Sequence, residues 1–310
     1  MALILQIILL CVGFTMLVKG ADWFVDGASA VARRFGIPQL VIGLTVVAMG
    51  TSAPEVAVSL SAAIRGNADI TIGSVVGSNI LNILIILGMS CMVTDLEVAR
   101  STIRAEIPFM LIVTAVLLIL GTDGTVGGGN GIVLLALFVV YLGYLYYMAK
   151  TGREAAEEAV AEVPVKRSVL MAAAGLVLVI WGSSITVDVA TDVARRFGLS
   201  ERFIGLTIVA LGTSLPELFT SVNAAMKNNA DIAIGNIVGS NIFNILFIVG
   251  VSGLFVPVRF ADLFITDTLV AMAAAVLLGG CCVRKGKLVS WHGIVMLLCY
   301  GLYLGWLMMK

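Results

Sequence analysis

The sequence predicts an all-α polytopic membrane protein with ten transmembrane helices, arranged as two inverted five-helix repeats. Three observations lead to this prediction. Hydrophobic residues make up 60% of the 310 residues and charged residues only 12%, with a mean hydropathy of +1.09. A soluble domain of this size cannot bury so much apolar surface. Ten apolar segments can be marked along the chain, and a long part of the first half recurs in the second half.

The apolar segments follow one another with short breaks that carry the charges and glycines. Each is long enough to cross the hydrocarbon core of a bilayer, about 30 Å thick, as an α-helix. They cover residues 3–19, 37–63, 70–93, 104–120, 130–149, 168–187, 200–225, 232–256, 263–283 and 288–309. The chain is apolar from Ala2 without a basic stretch before it, so we interpret its start as a first span rather than a cleaved signal.

The longest break divides the chain into two halves. Residues 150–167 are rich in Arg, Lys and Glu and predict a short cytoplasmic linker. The linker separates a first five-helix repeat, residues 1–149, from a second, residues 168–310, and it is too short to contain a regulatory domain.

The glycine-rich run 127–131 is predicted to be a turn between two spans, because no strand precedes it and no lysine follows it as in a phosphate-binding loop.

An internal repeat relates the two halves. Residues 35–90 align without a gap on residues 197–252, at an offset of 162, and 33 of the 56 pairs are identical. Each half contains five spans, and because five is odd the second half must enter the membrane from the opposite side. Inverted repeats of this kind are typical of secondary transporters.

The basic residues predict the orientation in the membrane. With the N-terminus outside, the connecting segments on the inner side contain 13 Lys and Arg residues and those on the outer side contain 6. The positive-inside rule therefore favours a multi-pass protein of the cell membrane with both termini outside. The chain has 19 basic and 19 acidic residues, so it shows no basic excess that would indicate binding to nucleic acid.

The first motif with chemical content is Gly50 to Glu55, which recurs as Gly212 to Glu217. A carboxylate beside a proline deep in an apolar segment is costly in a membrane and indicates a functional site. In a helix, Thr51 and Ser52 lie on the same side as Glu55. Pro54 lacks an N–H group, so the helix is expected to break there and to leave carbonyls, such as that of Ala48, free to point inward. Carboxylate, hydroxyl and carbonyl oxygens suit hard cations such as Ca²⁺ and Na⁺.

The second motif is Gly77 to Asn82, mirrored by Gly239 to Asn244. Ser78 and Asn82 are four residues apart and share one face of a helix. Gly73 and Gly77, like Gly235 and Gly239, form a small-xxx-small pattern that lets helix backbones approach closely. We therefore expect the two halves to meet at the middle of the membrane, with Glu55 and Glu217 across a shared cavity.

Other polar residues have simpler interpretations. A single glycine pattern is usually a packing feature, and Glu55 by itself is equally compatible with a protonated structural carboxyl; the symmetric set of both motifs favours an ion site. Asp69 and Asp231 are expected to cap the helices that follow them. The five cysteines lack zinc spacing and are interpreted as core or lipid-facing residues, and the lone His292 as an interfacial or packed residue.

At these motifs the sequence resembles the sodium/calcium exchanger family, within the calcium/cation antiporters. Gly50 to Glu55 with Gly73 to Asn82, and Gly212 to Glu217 with Gly235 to Asn244, resemble the two α-repeats of that family. The short linker resembles the prokaryotic members. The resemblance implies ten helices, an external N-terminus and a central cluster of cation sites.

The resemblance also implies a set of metal ligands. The set comprises the carboxylates of Glu55 and Glu217, hydroxyls or carbonyls of Thr51, Ser52, Thr213 and Ser214, hydroxyls of Ser78 and Ser240, carbonyls of Ala48 and Ala210, and Asn82 and Asn244 at the middle position. Some relatives, including potassium-dependent ones, have an aspartate where Asn244 stands, so this position argues against potassium coupling.

The predicted function is antiport of Na⁺ against Ca²⁺ by alternating access. Ca²⁺ and Na⁺ are its substrates, the lipid bilayer is its environment, a monomer is sufficient, and no cofactor or catalytic residue is expected. Exchange of Ca²⁺ against H⁺ or another cation is the first alternative, and a cation channel using the same oxygens is the second. An intramembrane hydrolase is disfavoured because no serine–histidine or paired-aspartate set lies within the spans.

Overall fold

The computed structural model describes residues 3–64, 69–152, 164–197 and 210–309. Within these ranges the chain is helical apart from four two-residue strands. Among the described residues, eight helices are long and apolar enough to cross a membrane, and a ninth span results when two helices bent by 45° at a short break are counted together. The predicted helical membrane protein is therefore confirmed. The predicted segment 200–225 is described only from Ala210 onward.

The helices of the first half are α1 (Leu3–Phe35), α2 (Gln39–Thr51), α3 (Ala53–Ile64), α4 (residues 69–93), α5 (Thr102–Gly121) and α6 (Gly128–Thr151). Those of the second half are α7 (Val165–Arg196), α8 (Ala210–Thr213), α9 (Leu215–Met226), α10 (Ala230–Phe255), α11 (Asp262–Val283) and α12 (Ser290–Met309). Short π-helical turns interrupt α2, α4, α5 and α10, at Gly43–Val47, Asn82–Leu87, Thr102–Glu106 and Asn244–Val249 respectively.

The first span is much longer than the apolar pattern indicates. The predicted segment ends at residue 19, whereas α1 continues to Phe35. The apolar segment marked near residues 3–19 is only the first part of this helix, because the charged residues that follow do not end it. In the structure Asp22 and Asp26 remain helical, and the ammonium of Lys227 lies 2.5 Å from a carboxylate oxygen of each. Likewise α7 extends to Arg196, beyond the predicted end at residue 187.

The two long helices α1 and α7 pack against each other in antiparallel directions through glycines. Gly13 lies against Gly182, and Gly20 lies against Gly175. A side chain on Gly20 would place its Cβ 2.8 Å from the carbonyl oxygen of Gly175, which is closer than atoms can approach. Glycine is therefore required for this contact between the two backbones.

The innermost helices are α4 and α10. Of the apolar stretch that qualifies each as a span, 78% is buried in α4 and 94% in α10, against 28% in α1. A Cβ on Gly239 of α10 would lie 2.7 Å from the carbonyl oxygen of Leu44 in α2, and one on Gly235 would lie 3.0 Å from the Cα of Gly43. The predicted close packing through small residues is thus confirmed for the second half. In the other half, the segment that corresponds to the packed part of α2 is residues 205–209, and it lies outside the described residues.

Two pairs of short strands join connectors of the two halves. The strand β1 (Leu96–Glu97) pairs antiparallel with β4 (Lys287–Leu288), and β2 (Thr125–Val126) pairs antiparallel with β3 (Val258–Arg259). The glycine-rich run that follows β2 is only partly the predicted turn, because α6 already begins at Gly128. Gly131 instead permits close packing, since a Cβ there would lie 2.6 Å from the carbonyl oxygen of Gly250.

Candidate cation-binding site

Both halves contain a helix that breaks next to the proline of the repeated motif. The break falls at Ser52, with φ −79° and ψ 8°, and at Ser214, with φ −88° and ψ 5°. A proline in the second position of the new helix has no N–H group to bond the preceding turn, so the helix cannot continue unbroken. Glu55 and Glu217 consequently lie in the first turn of α3 and α9, where the helix dipole favours a negative charge.

Each glutamate is held by a serine of the other half. The hydroxyl of Ser52 donates to Oε1 of Glu217 at 2.8 Å, and the hydroxyl of Ser214 lies 3.5 Å from Oε1 of Glu55. All four side chains are buried. The structure therefore brings the two predicted carboxylates into one buried site.

Four asparagines form a second layer between α4 and α10. Asn79 and Asn241 bond each other reciprocally, since the amide of each donates to the backbone oxygen of the other at 3.1 and 3.2 Å. The amide of Asn82 donates to Oδ1 of Asn241 at 2.9 Å, and the amide of Asn244 donates to Oδ1 of Asn79 at 3.1 Å. These bonds hold the NH₂ groups of Asn82 and Asn244 on the protein and leave their Oδ1 atoms for another partner.

Four buried oxygens of the site lack a hydrogen-bond partner among the described residues. They are Oε2 of Glu55, Oε2 of Glu217, Oδ1 of Asn82 and Oδ1 of Asn244, two from each half. No basic side chain in the described part of the chain forms an ion pair with either glutamate. Unpaired buried polar atoms are rare in native proteins and call for a partner. Because these atoms are all acceptors, the partner that suits them is a cation, and their chemistry suits a hard one.

The hydroxyl-bearing residues of the predicted set surround these acceptors. The hydroxyls of Ser78 and Ser214 lie 3.5 Å apart, and Ser240 donates to the carbonyl oxygen of Ala48 at 3.3 Å. That carbonyl also accepts from the backbone N–H of Ser52 at 3.1 Å. The carbonyl that the sequence led us to expect as free is therefore hydrogen-bonded in this structure.

The counterparts on the second broken helix are described less completely. Ala210 is the first described residue of α8 and Thr213 is its last residue. Thr213 is partly buried and does have an interaction partner.

The helix α10 is capped at its start by Asn229, whose side chain accepts from the N–H of Ile232 at 3.2 Å. The expected cap from Asp231 was wrong, because Asp231 already lies within the first turn.

Sequence reasoning missed several residues of the site. Asn79 and Asn241 lie inside the repeated Gly-Ser-Asn motif, and their equivalence in the repeat is the signal from which a contact between the halves could have been predicted. Asn236 contacts Thr51, with 3.1 Å between Oδ1 and Oγ1, although its repeat counterpart is Ser74. The π-helical turns that begin at Asn82 and Asn244 carry no hydropathy signal, but such turns are frequent at functional sites.

The residue types of the candidate site are oxygen ligands. No group of three or more His, Cys, Asp or Glu side chains arranged to hold a metal occurs in the residues that the structure describes. The available ligands are two carboxylates together with neutral hydroxyl, amide and carbonyl oxygens. This combination is typical of Na⁺ and Ca²⁺ sites, in which neutral oxygens complete the coordination shell.

Two broken helices that cross at a buried, acceptor-rich site define this chain as a membrane protein of the ion-transporter class. The profile of the family described as "Sodium/calcium exchanger protein" matches the chain twice, over residues 5–147 and 167–309. The chain therefore belongs to the sodium/calcium exchanger family.

Individual relatives agree with this assignment. The chain is 39% identical over 289 residues to the putative antiporter CaxA of Alkalimonas amylolytica, with 91% of each chain covered. It is 29% identical over 343 aligned residues to the sodium/calcium exchanger MaX1 of Methanosarcina acetivorans, with 96% of this chain and 97% of that protein covered. The solved structure of the sodium–calcium exchanger NCX_Mj, soaked with 2.5 mM Na⁺ and 0.1 mM Ca²⁺, superposes with a TM-score of 0.86 at 33% identity and covers 98% of this chain and 99% of that chain.

Proposed function

We propose that this protein is a secondary active antiporter that exchanges Na⁺ for Ca²⁺ across the cell membrane by alternating access. The observation that carries the proposal is the set of four buried acceptor oxygens, on Glu55, Asn82, Glu217 and Asn244, that have no hydrogen-bond partner among the described residues. Two of them belong to carboxylates from opposite halves of the chain. A buried site of this kind is stable only when a cation or protons neutralise it.

The proposed ligands are the residues that surround these acceptors. Glu55 and Glu217 provide the negative charge, and Asn82 and Asn244 provide amide oxygens. The remaining proposed ligands, which provide hydroxyl or carbonyl oxygens, are Ala48, Thr51, Ser52, Ser78, Ala210, Thr213, Ser214 and Ser240. Ala48 would first have to release a hydrogen bond, because its carbonyl accepts from both Ser52 and Ser240.

The charge of the site explains why transport would be an obligatory exchange. Two ionised glutamates carry a charge of −2, which one Ca²⁺ neutralises. Several Na⁺ ions can do the same at overlapping positions, so the two kinds of ion exclude each other. An empty site leaves two uncompensated charges in a low-dielectric environment, and a conformational change in that state is strongly disfavoured. The carrier is therefore expected to cross only when loaded.

The proposed architecture is ten helices in two inverted five-helix repeats, residues 1–149 and 168–310, joined by the linker 150–167. Support comes from the pairing of α1 with α7. Gly13 contacts Gly182, which is the repeat counterpart of Gly20, while Gly20 contacts Gly175, which is the counterpart of Gly13. Equivalent helices that meet head to tail in this way are expected when one half is inverted relative to the other. The excess of basic residues in the inner connectors then favours both termini outside.

Access to the site would change by sliding of α1 and α7 against the remaining helices. Gly13 and Gly20 on α1 and Gly175 and Gly182 on α7 bring the backbones of these two helices into contact, so we expect the two helices to move as one unit. The core that contains the site is the buried pair α4 and α10 together with the broken helices. A closely packed outer pair beside a buried inner core suits a movement of one against the other that exposes the site first to one side and then to the other.

Transport into proteoliposomes tests the proposal. Vesicles loaded with Na⁺ and diluted into Na⁺-free medium should take up radiolabelled Ca²⁺, whereas vesicles without a gradient should not. Glu55→Gln should abolish this uptake, because the site loses half of its charge. Glu97→Gln is the matched control, since Glu97 lies exposed in β1, and it should transport normally. Uptake that persists in Glu55→Gln would contradict the site assignment.

Exchange of Ca²⁺ for H⁺ is the alternative that one observation favours. Because neither glutamate has a basic partner among the described residues, protons can neutralise the site as well as Na⁺ can. Vesicles with an outward H⁺ gradient and no Na⁺ distinguish the two functions. Uptake driven only by H⁺ would show that the coupling ion is H⁺, with the same proposed binding site. Ca²⁺ flux that needs no counter-ion would indicate a channel instead.

A further inference from the structure

Asn236 is a buried polar residue next to the site at which the two halves of the chain differ. It lies on α10, and its counterpart in the repeat, on α4, is Ser74. Asn236 is fully buried, at 0% exposure, while Ser74 is partly exposed. The charged and hydroxyl-bearing residues of the site itself are the same in both halves. The difference between Asn236 and Ser74 therefore lies next to ligands that are otherwise equivalent.

The side chain of Asn236 connects the two halves through all of its polar atoms. Its Oδ1 lies 3.1 Å from the hydroxyl oxygen of Thr51, on the first broken helix. Its Nδ2 donates to the hydroxyl of Ser221 at 2.9 Å and to the backbone oxygen of Glu217 at 3.4 Å, both on α9. One asparagine therefore ties a hydroxyl of the first half to the helix that carries the glutamate of the second half.

The first half lacks this connection. Ser59 is the repeat counterpart of Ser221 and is buried at 0% exposure, yet its hydroxyl has no hydrogen-bond partner among the described residues. The side chain of Ser74 is shorter than that of asparagine and has no amide with which to donate to Ser59. Among the described residues, the hydroxyl of Ser59 therefore has no counterpart of the bond that Ser221 makes to Asn236.

Asn236 offers the Thr51 hydroxyl an acceptor on the other half of the chain. A threonine hydroxyl has one proton, and three acceptors lie within its reach: the backbone oxygens of Val47 at 3.1 Å and Ala48 at 3.4 Å, and Oδ1 of Asn236 at 3.1 Å. When the proton goes to Asn236, the lone pairs of Thr51 remain available to an ion, and neither backbone oxygen is occupied by it. The hydroxyl then acts as an acceptor with a defined direction.

We propose that Asn236 is a positioning residue that orients the Thr51 hydroxyl toward the transported ion and so makes the two halves of the site unequal. The proposal rests on the proposed function in one respect, namely that Thr51 is an ion ligand. Asn236 itself does not touch the ion. It acts through Thr51, and its hydrogen bonds to Ser221 and to the backbone oxygen of Glu217 hold its own side chain in place.

Loss of the Asn236 side chain should weaken the binding of Na⁺ more than the binding of Ca²⁺. Two carboxylates dominate the binding of a divalent ion, whereas a monovalent ion derives a larger share of its binding from neutral oxygens with fixed orientation. For Asn236→Ser, which installs the residue of the first half, we expect the half-saturating Na⁺ concentration to rise about fivefold, the size of one lost net hydrogen bond. The half-saturating Ca²⁺ concentration should change less.

The test is a double-mutant cycle read by equilibrium binding to detergent-purified protein, with Na⁺ and Ca²⁺ titrated separately. The variants are Thr51→Val, Asn236→Ser and the combination of the two. Thr51→Val should weaken Na⁺ binding, and Asn236→Ser should add nothing further in that background, because its effect passes through Thr51. Additive effects would overturn the proposal, and so would an unchanged affinity in Thr51→Val.

A second pair of variants keeps the test decisive if Asn236→Ser does not fold. Ser221→Ala removes the acceptor that holds the Asn236 amide and should weaken Na⁺ binding in the same direction by a smaller factor. Ser59→Ala is its matched control in the other half and should leave the affinity unchanged, because that hydroxyl has no partner to lose. Equal effects of the two serine variants, or none from either, would contradict the proposal. Binding of neither ion by the parent protein would instead refute the proposed function.

Discussion

The hydroxyl of Ser52 donates a 2.8 Å hydrogen bond to Oε1 of Glu217, so a residue of one half of the chain holds the carboxylate of the other half. The equivalent contact from Ser214 to Glu55 measures 3.5 Å, which is at the outer limit of a hydrogen bond. The same residue types at equivalent positions of the repeat therefore make a strong contact on one side of the site and a weak one on the other.

This inequality predicts different effects for two equivalent substitutions. Ser52→Ala removes a short hydrogen bond to a charged group, worth about 1.5–3 kcal/mol, and should raise the half-saturating Ca²⁺ concentration by tenfold or more, an order-of-magnitude estimate from that range. Ser214→Ala should raise it by a smaller factor because the bond that it removes is long. Initial rates of Ca²⁺ uptake into proteoliposomes at a series of Ca²⁺ concentrations measure both. Equal shifts would show that the two halves of the site are equivalent in the working protein.

Asn244→Asp should make transport sensitive to pH. Oδ1 of Asn244 is buried without a partner among the described residues, and the substitution adds a third carboxylate to a site whose −2 charge one Ca²⁺ just neutralises. The loaded site then retains a negative charge unless the new carboxyl is protonated. Because that charge is costly to bury, Ca²⁺ transport by the variant should fall as pH rises, whereas the parent should not show this decline.

The pH profile of Ca²⁺ uptake between pH 5 and 9 checks this prediction. Asn244→Ala is the control, because it removes the amide oxygen without adding a charge. Identical profiles for the aspartate variant and the parent would mean that position 244 does not contribute to the electrostatics of the bound ion.

Gly239→Ala should destabilise the core of the protein. The added Cβ would lie 2.7 Å from the carbonyl oxygen of Leu44 and 2.9 Å from the Cβ of Ala48, and backbone atoms cannot rotate out of the way. Overpacking of this kind costs about 1–3 kcal/mol. The variant should therefore show a lower midpoint of thermal unfolding in detergent and weaker Ca²⁺ binding, because Ala48 belongs to the proposed site.

Gly305→Ala is the matched control for this substitution. A Cβ at Gly305, on α12, would meet no atom of the described residues within 4 Å, and the position is exposed. The control should unfold at the same temperature as the parent. An unchanged midpoint for Gly239→Ala as well would indicate that α2 and α10 separate freely.

Lys227→Ala should change the rate of transport more than the affinity for ions. The Lys227 ammonium lies 2.5 Å from carboxylate oxygens of both Asp22 and Asp26 and so links the end of α9 to α1. If α1 slides when access changes, this link must break or move with it. The substitution should alter the maximal rate of Ca²⁺ uptake at least about twofold, which corresponds to a few tenths of a kcal/mol, and leave the half-saturating concentration unchanged.

An exposed ion pair provides the control. Lys287 contacts Glu97 at 2.7 Å between β4 and β1. This contact lowers the pKa of the Glu97 carboxyl and raises the pKa of the Lys287 ammonium, so the pair is ionised at neutral pH. Its contribution to stability is lost when acid protonates Glu97 or when strong alkali deprotonates Lys287. Because water screens the pair, Lys287→Ala should change neither rate nor affinity. If Lys287→Ala changed the transport rate as much as Lys227→Ala does, the effect of Lys227→Ala could not be assigned to the movement of α1.

The membrane class, the repeat and most of the candidate site were predictable from the sequence because they depend on local properties. Hydropathy identifies spans wherever a stretch is uniformly apolar, and Pro54 and Pro216 break a helix in any fold. The same logic failed at the end of α1, where Asp22 and Asp26 interrupt the hydropathy but not the helix. Their partner, Lys227, is about 200 residues away in the chain, so no window of sequence contains it.

The sequence by itself determined which chemical groups the protein can place inside a membrane: two glutamates, a set of hydroxyls and amides, and glycines for close packing, each present twice. Side-chain chemistry and hydropathy reside in single residues and short segments, and a repeat preserves them. The tertiary structure decided that Ser52 bonds Glu217 more closely than Ser214 bonds Glu55, and that Asn236 reaches Thr51 while Ser74 has no equivalent network. The first feature depends on the difference between 2.8 and 3.5 Å, and the second on which side chains meet. In both, the residues in contact lie roughly 160 to 190 positions apart in the chain, so only the packing of complete helices brings them together.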